Sequence, residues 1–486
     1  MKKLYLTICF LVLGIFISAA QNVFNVKLWD GQMPNTNGID HQPENIEKGN
    51  YFPEMRVYLP DSAVATGKMV VACPGGGYSH LSLDNEGYNW ASYFNSQGIA
   101  YAVLKYRMPR GNRDVPLSDA KQALRLVRKN AVKWHINPYD IGIMGFSAGG
   151  HLASTVATHT DADIRPAFQI LFYPVISMDL SKTHKGSAKN FLGDGQEDKS
   201  LVREYSNDLQ VQRHITPPAI ILLSNDDRAV PPVPNGIAYY SALQRNGVDA
   251  SLHIYPDGGH GWGFRTSFPW HNQMLDELTA WLKRLTPPKP DAIKVACIGN
   301  SITDGAGVFM ADRFGYPAQL QQLLGSGYLV RNFGKSGRTM LQKGNRPYMK
   351  EYVWHDCQAF NPEVAIIKLG TNDSKAINWK FKDEFSRDLQ CMVDTLKKLP
   401  SHPRIILAFP IKAYDGNRYK IRDQVLANEI IPMIKALAKK NKLETVDLRT
   451  PFIGHEEYLQ DNDGVHPNPT GARVIANVLK ERILDK

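Results

Sequence analysis

The stretch Ile141-Gly142-Ile143-Met144-Gly145-Phe146-Ser147-Ala148-Gly149-Gly150 constrains the fold of this chain more than any other. An apolar run of strand character ends in Gly-x-Ser-x-Gly and passes at once into the helical run His151 to Ala157. A serine there sits on a tight strand-to-helix turn, because glycines on either side let the backbone segments approach closely. The turn projects the Ser147 hydroxyl out of the end of a sheet. The helix N-terminus behind it favours developing negative charge.

A chain of 486 residues is too long for one ordinary core, so two domains are expected. Hydrophobic content of 43% and charged content of 21% mark it as globular. The net charge of +10 is scattered, with no Lys/Arg block and no basic stripe interleaved with aromatics. That speaks against a nucleic-acid partner and for a well-solvated basic surface. Residues 1–20 read as a secretory signal peptide: Lys2-Lys3, the apolar run Leu4 to Ile17, then Ser18-Ala19-Ala20. Cys9 lies inside the apolar run rather than at its end, so there is no lipoprotein signal. The mature chain is expected to start near Gln21, to work in the periplasm or outside the cell, and to keep no stable membrane insertion. Cys73 and Cys297 lie in apolar strand-like runs and read as small buried hydrophobes. Cys357 and Cys391 are left as a pair for a bridge that nothing in their spacing demands. There is no Cys-x-x-Cys and no His-Glu-x-x-His, so no metal site is expected.

From Gln21 to about Asp61 the chain is a loop-rich lead-in with short strands, Met55 to Leu59 the clearest. The strand Lys68 to Cys73 runs into Pro74-Gly75-Gly76-Gly77-Tyr78, where a glycine cluster can turn backbone N–H groups into a cleft. Helices are expected over Asn85 to Gln97, Asp119 to His135 and Trp270 to Leu285. Strands are expected over Ile99 to Lys105, Phe168 to Tyr173, Ala219 to Leu223 and Ser251 to Tyr255. This alternation predicts a mostly parallel sheet covered on both faces. Two acids, Asp226 and Asp227, follow the Ala219 strand, and either is placed to orient a histidine. His260 sits in the loop Pro256-Asp257-Gly258-Gly259-His260-Gly261-Trp262. The chain order Ser147, Asp226 or Asp227, His260 is the order of an α/β-hydrolase triad.

Thr286-Pro287-Pro288-Lys289-Pro290 has no core pattern and reads as a short stiff linker. It separates a unit over 21–285 from one over 291–486. The second unit restarts the strand pattern at Ile293 to Ile298, Tyr328 to Phe333, Glu363 to Leu369, Arg404 to Phe409 and Glu444 to Leu448. Helices are expected over Lys382 to Leu399, Ile421 to Lys440 and Thr470 to Leu484, giving a flavodoxin-like α/β sandwich. Polar clusters fall at the strand ends, where open parallel sheets bind ligands. Ser301 is placed to attack, His466 to take its proton, and Asp463 to hold the imidazole. The backbone N–H groups of Ser301 and Gly334 and the Asn372 amide are placed to cradle an oxyanion.

The second unit resembles the SGNH/GDSL hydrolases in Gly299-Asn300-Ser301-Ile302-Thr303, Gly334, Gly370-Thr371-Asn372-Asp373 and Asp463-Gly464-Val465-His466-Pro467. It departs from the family at Asn300, where Asp is common. The first unit resembles carbohydrate esterases of the acetyl xylan esterase and bifunctional feruloyl/acetyl esterase group. That resemblance rests on Cys73 to Tyr78, Leu104-Lys105-Tyr106-Arg107, Gly145 to His151 and Gly258-Gly259-His260-Gly261. It implies an α/β-hydrolase fold, Asp227 as the triad acid, and oxyanion donors on the backbone of Gly76 or Gly77 and of Ala148. Neither family needs a metal or a dissociable cofactor. Together the resemblances imply a carbohydrate O-acetylesterase with two serine sites, acting on plant cell-wall polysaccharide and first on acetylated xylan. The alternatives are another ester (feruloyl, pectin or sialic acid acetyl, lipid), or one catalytic domain beside a glycan-binding one.

Overall fold

The computed structural model describes residues 22–159 and 164–485, so the expected signal peptide at 1–20 lies outside the described residues. The apolar runs resolve into two separate sheets. The first holds β1 (Asn22–Lys27), β2 (Glu54–Leu59), β3 (Met69–Cys73), β4 (Ala100–Lys105), β5 (Ile141–Phe146), β6 (Gln169–Phe172), β7 (Ala219–Ser224) and β8 (Ala250–Tyr255). Their spatial order is β1-β2-β4-β3-β5-β6-β7-β8. The lead-in pairs are antiparallel, and every pair from β4 to β8 is parallel.

β3, β5, β6 and β7 are buried at every residue, which is why they read as continuous apolar runs. Alternate side chains feed two cores. Val71, Ile143, Leu171 and Ile221 join Leu124 and Val127 of helix Asp114–Lys129 and Leu152 of helix Ser147–His159. Val70, Met144, Ile170 and Ile220 join Phe94 of helix Ala91–Ser96 and Met274 and Leu278 of helix His271–Arg284. The second sheet is all parallel, with β9 (Ile293–Gly299), β10 (Tyr328–Gly334), β11 (Val364–Lys368), β12 (Arg404–Ala408) and β13 (Glu444–Val446) in the order β10-β9-β11-β12-β13. Among the described residues no helix is long and apolar enough to cross a membrane.

Several expected elements are redrawn. The helix expected over Asn85 to Gln97 is confined to Ala91–Ser96, after a single 3-10 turn at Tyr88–Trp90. Asn85 and Glu86 are drawn off by tertiary bonds, to the Gly261 carbonyl and the Gly75 N–H. The helix expected from Asp119 to His135 runs instead from Asp114 to Lys129. Asp119 does not cap it; both its oxygens are buried against Arg107 and Trp29. Pro116 fits the first turn, whose N–H groups lack helical partners anyway. The helix expected from Ile421 opens with an α turn over Asp423–Val425 and then widens to a π turn over Leu426–Ile430, just before Pro432, which has no N–H to continue the α ladder. Cys357 and Cys391 form no bridge: Cys357 is buried on helix Tyr352–Phe360 and Cys391 is exposed on helix Phe385–Lys397.

The proline-rich joint is tied to both sides. The Asn137 amide donates to the Pro288 carbonyl at 2.7 Å, and the Lys289 N–H donates to Ser326 at 2.7 Å. Between the sheets lies a cleft of about 970 Å³ lined in part by Arg128, Arg165, His214, Lys294, Arg331 and Asp356.

Candidate active sites

Ser147 is the first residue of helix Ser147–His159 and has φ of 51°, the left-handed region that side chains rarely adopt. The turn is closed by contact rather than by choice. A Cβ on Gly145 would meet the Gly149 carbonyl oxygen at 2.2 Å, and one on Gly149 would meet the Cys73 carbonyl oxygen at 2.0 Å. The serine is therefore pressed against the end of β3. His260 Nε2 lies 2.8 Å from Ser147 Oγ, and His260 Nδ1 lies 2.7 Å from Asp227 Oδ2. The other Asp227 oxygen accepts from the N–H groups of Ala229 and Val230, at 2.9 Å each. Asp226 instead accepts the Gly259 N–H at 2.8 Å, so it braces the loop and not the imidazole.

Gly76, Gly77, Ser147 and His260 line one cavity of about 380 Å³, together with Glu86, His184 and Arg265. Ala148 is the second helical residue, in the first turn where N–H groups have no partner within the helix. Glu86 lies behind the glycine turn. It accepts from the Gly75 N–H at 3.0 Å and from the Tyr173 hydroxyl at 2.8 Å. Burial holds its carboxyl above the usual carboxylate range despite those donors. The Tyr106 hydroxyl donates to the Pro74 carbonyl at 2.7 Å, fixing the same turn from the other side. Glu86 and Tyr173 carry no sequence signal; only burial beside the turn distinguishes them.

At the end of β9, Ser301 opens the one-turn helix Ser301–Asp304. His466 Nε2 lies 2.9 Å from Ser301 Oγ. Its Nδ1 lies 2.9 and 3.1 Å from the two Asp463 oxygens. Asp463 also accepts from the backbone of Val465 and His466 and from the Tyr419 hydroxyl. Burial opposes its charge, but these donors and the facing imidazole hold its carboxyl below the ordinary range. Burial lowers His466, with Asp463 opposing and the Lys368 charge adding to the fall. Lys368, at the end of β11, is fully buried; among the described residues its Nζ has no hydrogen-bond partner, and burial pushes it down to about 7.

The expected oxyanion donors of this site differ in state. Asn372 spends one amide hydrogen on the Arg338 carbonyl at 3.1 Å, which fixes the group and leaves its second hydrogen. Gly334 stands at the expected strand end, but its N–H is given to Asn332 Oδ1 at 2.8 Å. A neighbouring side chain two residues back competes for that donor, so it is not free as expected. Tyr419 and Lys368 were not foreseen; neither lies within a strand-end motif.

Two family models divide the chain in the same way. A model of the BD-FAE family matches residues 55–236, and one of the GDSL-like Lipase/Acylhydrolase family matches residues 297–474. Over 448 residues the chain is 48% identical to an acetylxylan esterase of Xylanibacter ruminicola, covering 88% of this chain and 92% of that protein. It is 34% identical over 226 residues to endo-1,4-beta-xylanase B of Butyrivibrio fibrisolvens, 43% of this chain and 35% of that protein. Among solved structures, an acetyl ester-xyloside bifunctional hydrolase from Caldicellulosiruptor lactoaceticus shares 33% identity and a TM-score of 0.47, covering 54% of this chain and 95% of that one. The amino-terminal unit thus has the α/β-hydrolase fold and the carboxy-terminal unit the SGNH fold, and the chain is a serine carboxylic-ester hydrolase. With a relative 48% identical along 92% of its own length, the chain belongs to the acetylxylan esterase family.

Proposed function

We propose that this chain is a carbohydrate O-acetylesterase with two serine sites, Ser147–His260–Asp227 and Ser301–His466–Asp463, acting on acetylated xylan. One observation carries the reading: each serine faces its own histidine, at 2.8 and 2.9 Å, and each histidine is backed by its own acid. In each site the serine oxygen attacks the acetyl carbonyl while the imidazole takes its proton. The developing oxyanion is held by Gly76 or Gly77 and Ala148 in the first site, and by the Ser301 N–H and the Asn372 amide in the second, where the Gly334 N–H is engaged by Asn332. The imidazolium then protonates the leaving sugar oxygen. Water, deprotonated by the same imidazole, attacks the acetyl-serine, releasing acetate and restoring the serine.

The proposed units run over 21–285 and 291–486, joined by 286–290. Removal of residues 1–20 would deliver the enzyme to the periplasm or beyond, where polysaccharide is met. The test is acetate release from acetylated xylo-oligosaccharides, with NMR assigning the positions lost. Wild type, Ser147→Ala, Ser301→Ala and the double variant are compared. Two single variants that leave different acetyl groups behind support two working sites. One single variant as inactive as the double, with the other at wild-type rate, confines acetylesterase action to one domain. No acetate from wild type defeats the xylan assignment.

A further inference from the structure

Two neighbouring side chains, Arg213 and His214, leave the first domain and reach the nucleophile turn of the second, His214 with the shorter contacts. His214 precedes β7 and holds a strained φ of 64°. Its Nδ1 meets Asp312 Oδ1 at 2.5 Å; its Nε2 meets the Asp304 carbonyl oxygen at 3.0 Å and Asp304 Oδ1 at 3.1 Å. All three are acceptors, so both ring nitrogens donate and the ring is an imidazolium. Asp304 is the last residue of the one-turn helix that begins at Ser301. Its other oxygen, Oδ2, accepts from both the N–H and the hydroxyl of Ser336, two residues beyond Gly334. Asp304 therefore joins the Ser301 turn to the β10 end that carries the oxyanion side of the site. Among the described residues, the cations paired with Asp304 are His214 and Arg213, the latter at 4.0 Å, and both come from the first domain. Among the described residues, the charged groups paired with His214 are Asp304 and Asp312, and Arg213 pairs with Asp304 beside it.

We propose that His214 is a positioning residue of the second site: through Asp304 it holds the Ser301 turn against the Gly334–Ser336 strand end, so the first domain sets the geometry of the second domain's nucleophile. The proposal rests on the reading of Ser301 as a nucleophile. A displaced turn moves Oγ relative to His466 and the oxyanion donors, which lowers the rate of acylation more than it weakens substrate binding.

The test uses the full chain carrying Ser147→Ala and 4-nitrophenyl acetate, so that turnover comes from the second site. Adding His214→Gln removes the charge and one of the two donors. The expected result is a kcat lower by about 10–100-fold with KM nearly unchanged. His214→Lys, which restores the cation, should recover part of that loss. Asp312→Asn weakens the same interface without touching the Ser301 turn and should leave kcat close to its parent. In a Ser301→Ala background, His214→Gln should leave turnover by Ser147 unchanged. Equal losses for Asp312→Asn and His214→Gln, or a parallel loss at Ser147, would assign His214 to docking alone and overturn the proposal. If Ser147→Ala shows no turnover that Ser301→Ala then abolishes, the Ser301 reading falls and the proposal falls with it.

Discussion

Adjacent carboxylates at Asp226 and Asp227 show how little a sequence position says about a role. Both follow β7, yet one holds a loop N–H and the other the imidazole that faces Ser147. The difference comes from the fold of one tight turn, which aims neighbouring side chains apart. Lys368 makes a sharper case. It is buried without a hydrogen-bond partner among the described residues, and its charge adds to the lowering of His466. Only neutral imidazole accepts the serine proton, so second-site activity rises with pH through the His466 transition. Lys368→Met removes the repelling charge and raises the His466 pKa. The acid limb of kcat/KM, measured in the Ser147→Ala chain, is expected to move to higher pH; an unmoved limb would show that the ammonium is not felt at His466.

At the scale of elements, the strands and the nucleophile turns were legible because their causes are local. An apolar run ending in Gly-x-Ser-x-Gly or Gly-Asn-Ser states its own geometry, and Ser147 and Ser301 lie directly after β5 and β9. Helix limits were less legible because distant partners decide them. Asp119 has the look of a helix start, but Arg107, twelve positions earlier, and Trp29 claim its carboxylate inside the helix. Glu86 likewise belongs to the glycine turn and not to a helix face. The Arg107–Asp119 pair is fully buried on both sides, so Asp119→Ala leaves the guanidinium with Asp40 as its paired carboxylate and the Asn35 and Pro34 carbonyls as its other acceptors. The expected cost is about 3 kcal/mol, the low end for breaking a buried pair. Denaturant unfolding of the first domain, followed by tryptophan fluorescence, measures it. The exposed Lys182–Asp179 pair is the control, worth at most about 1 kcal/mol because water screens it.

For the molecule as a whole, the sequence suggested a short stiff linker between two domains, and the contacts across the joint argue for a docked pair. Asn137 binds Pro288, Arg165 faces Asp356 at 3.6 Å, and His214 bridges to Asp304 and Asp312. None of these pairs is visible in a linear pattern, since their members lie 90 to 191 positions apart or in units that read as self-sufficient. His214 gives the docking a pH dependence. Burial opposes its charge, but Asp312 and Asp304 outweigh burial and raise it from 6.5 to about 9. Because the docked pKa is the higher one, the stabilisation is complete below 6.5 and is lost as pH climbs through about 9. Small-angle scattering across that alkaline range should show the radius of gyration growing as the imidazolium loses its proton. His214→Gln should show a larger radius already at neutral pH and no further step. A wild-type radius that stays constant through the range would mean that the remaining contacts hold the domains together without this charge.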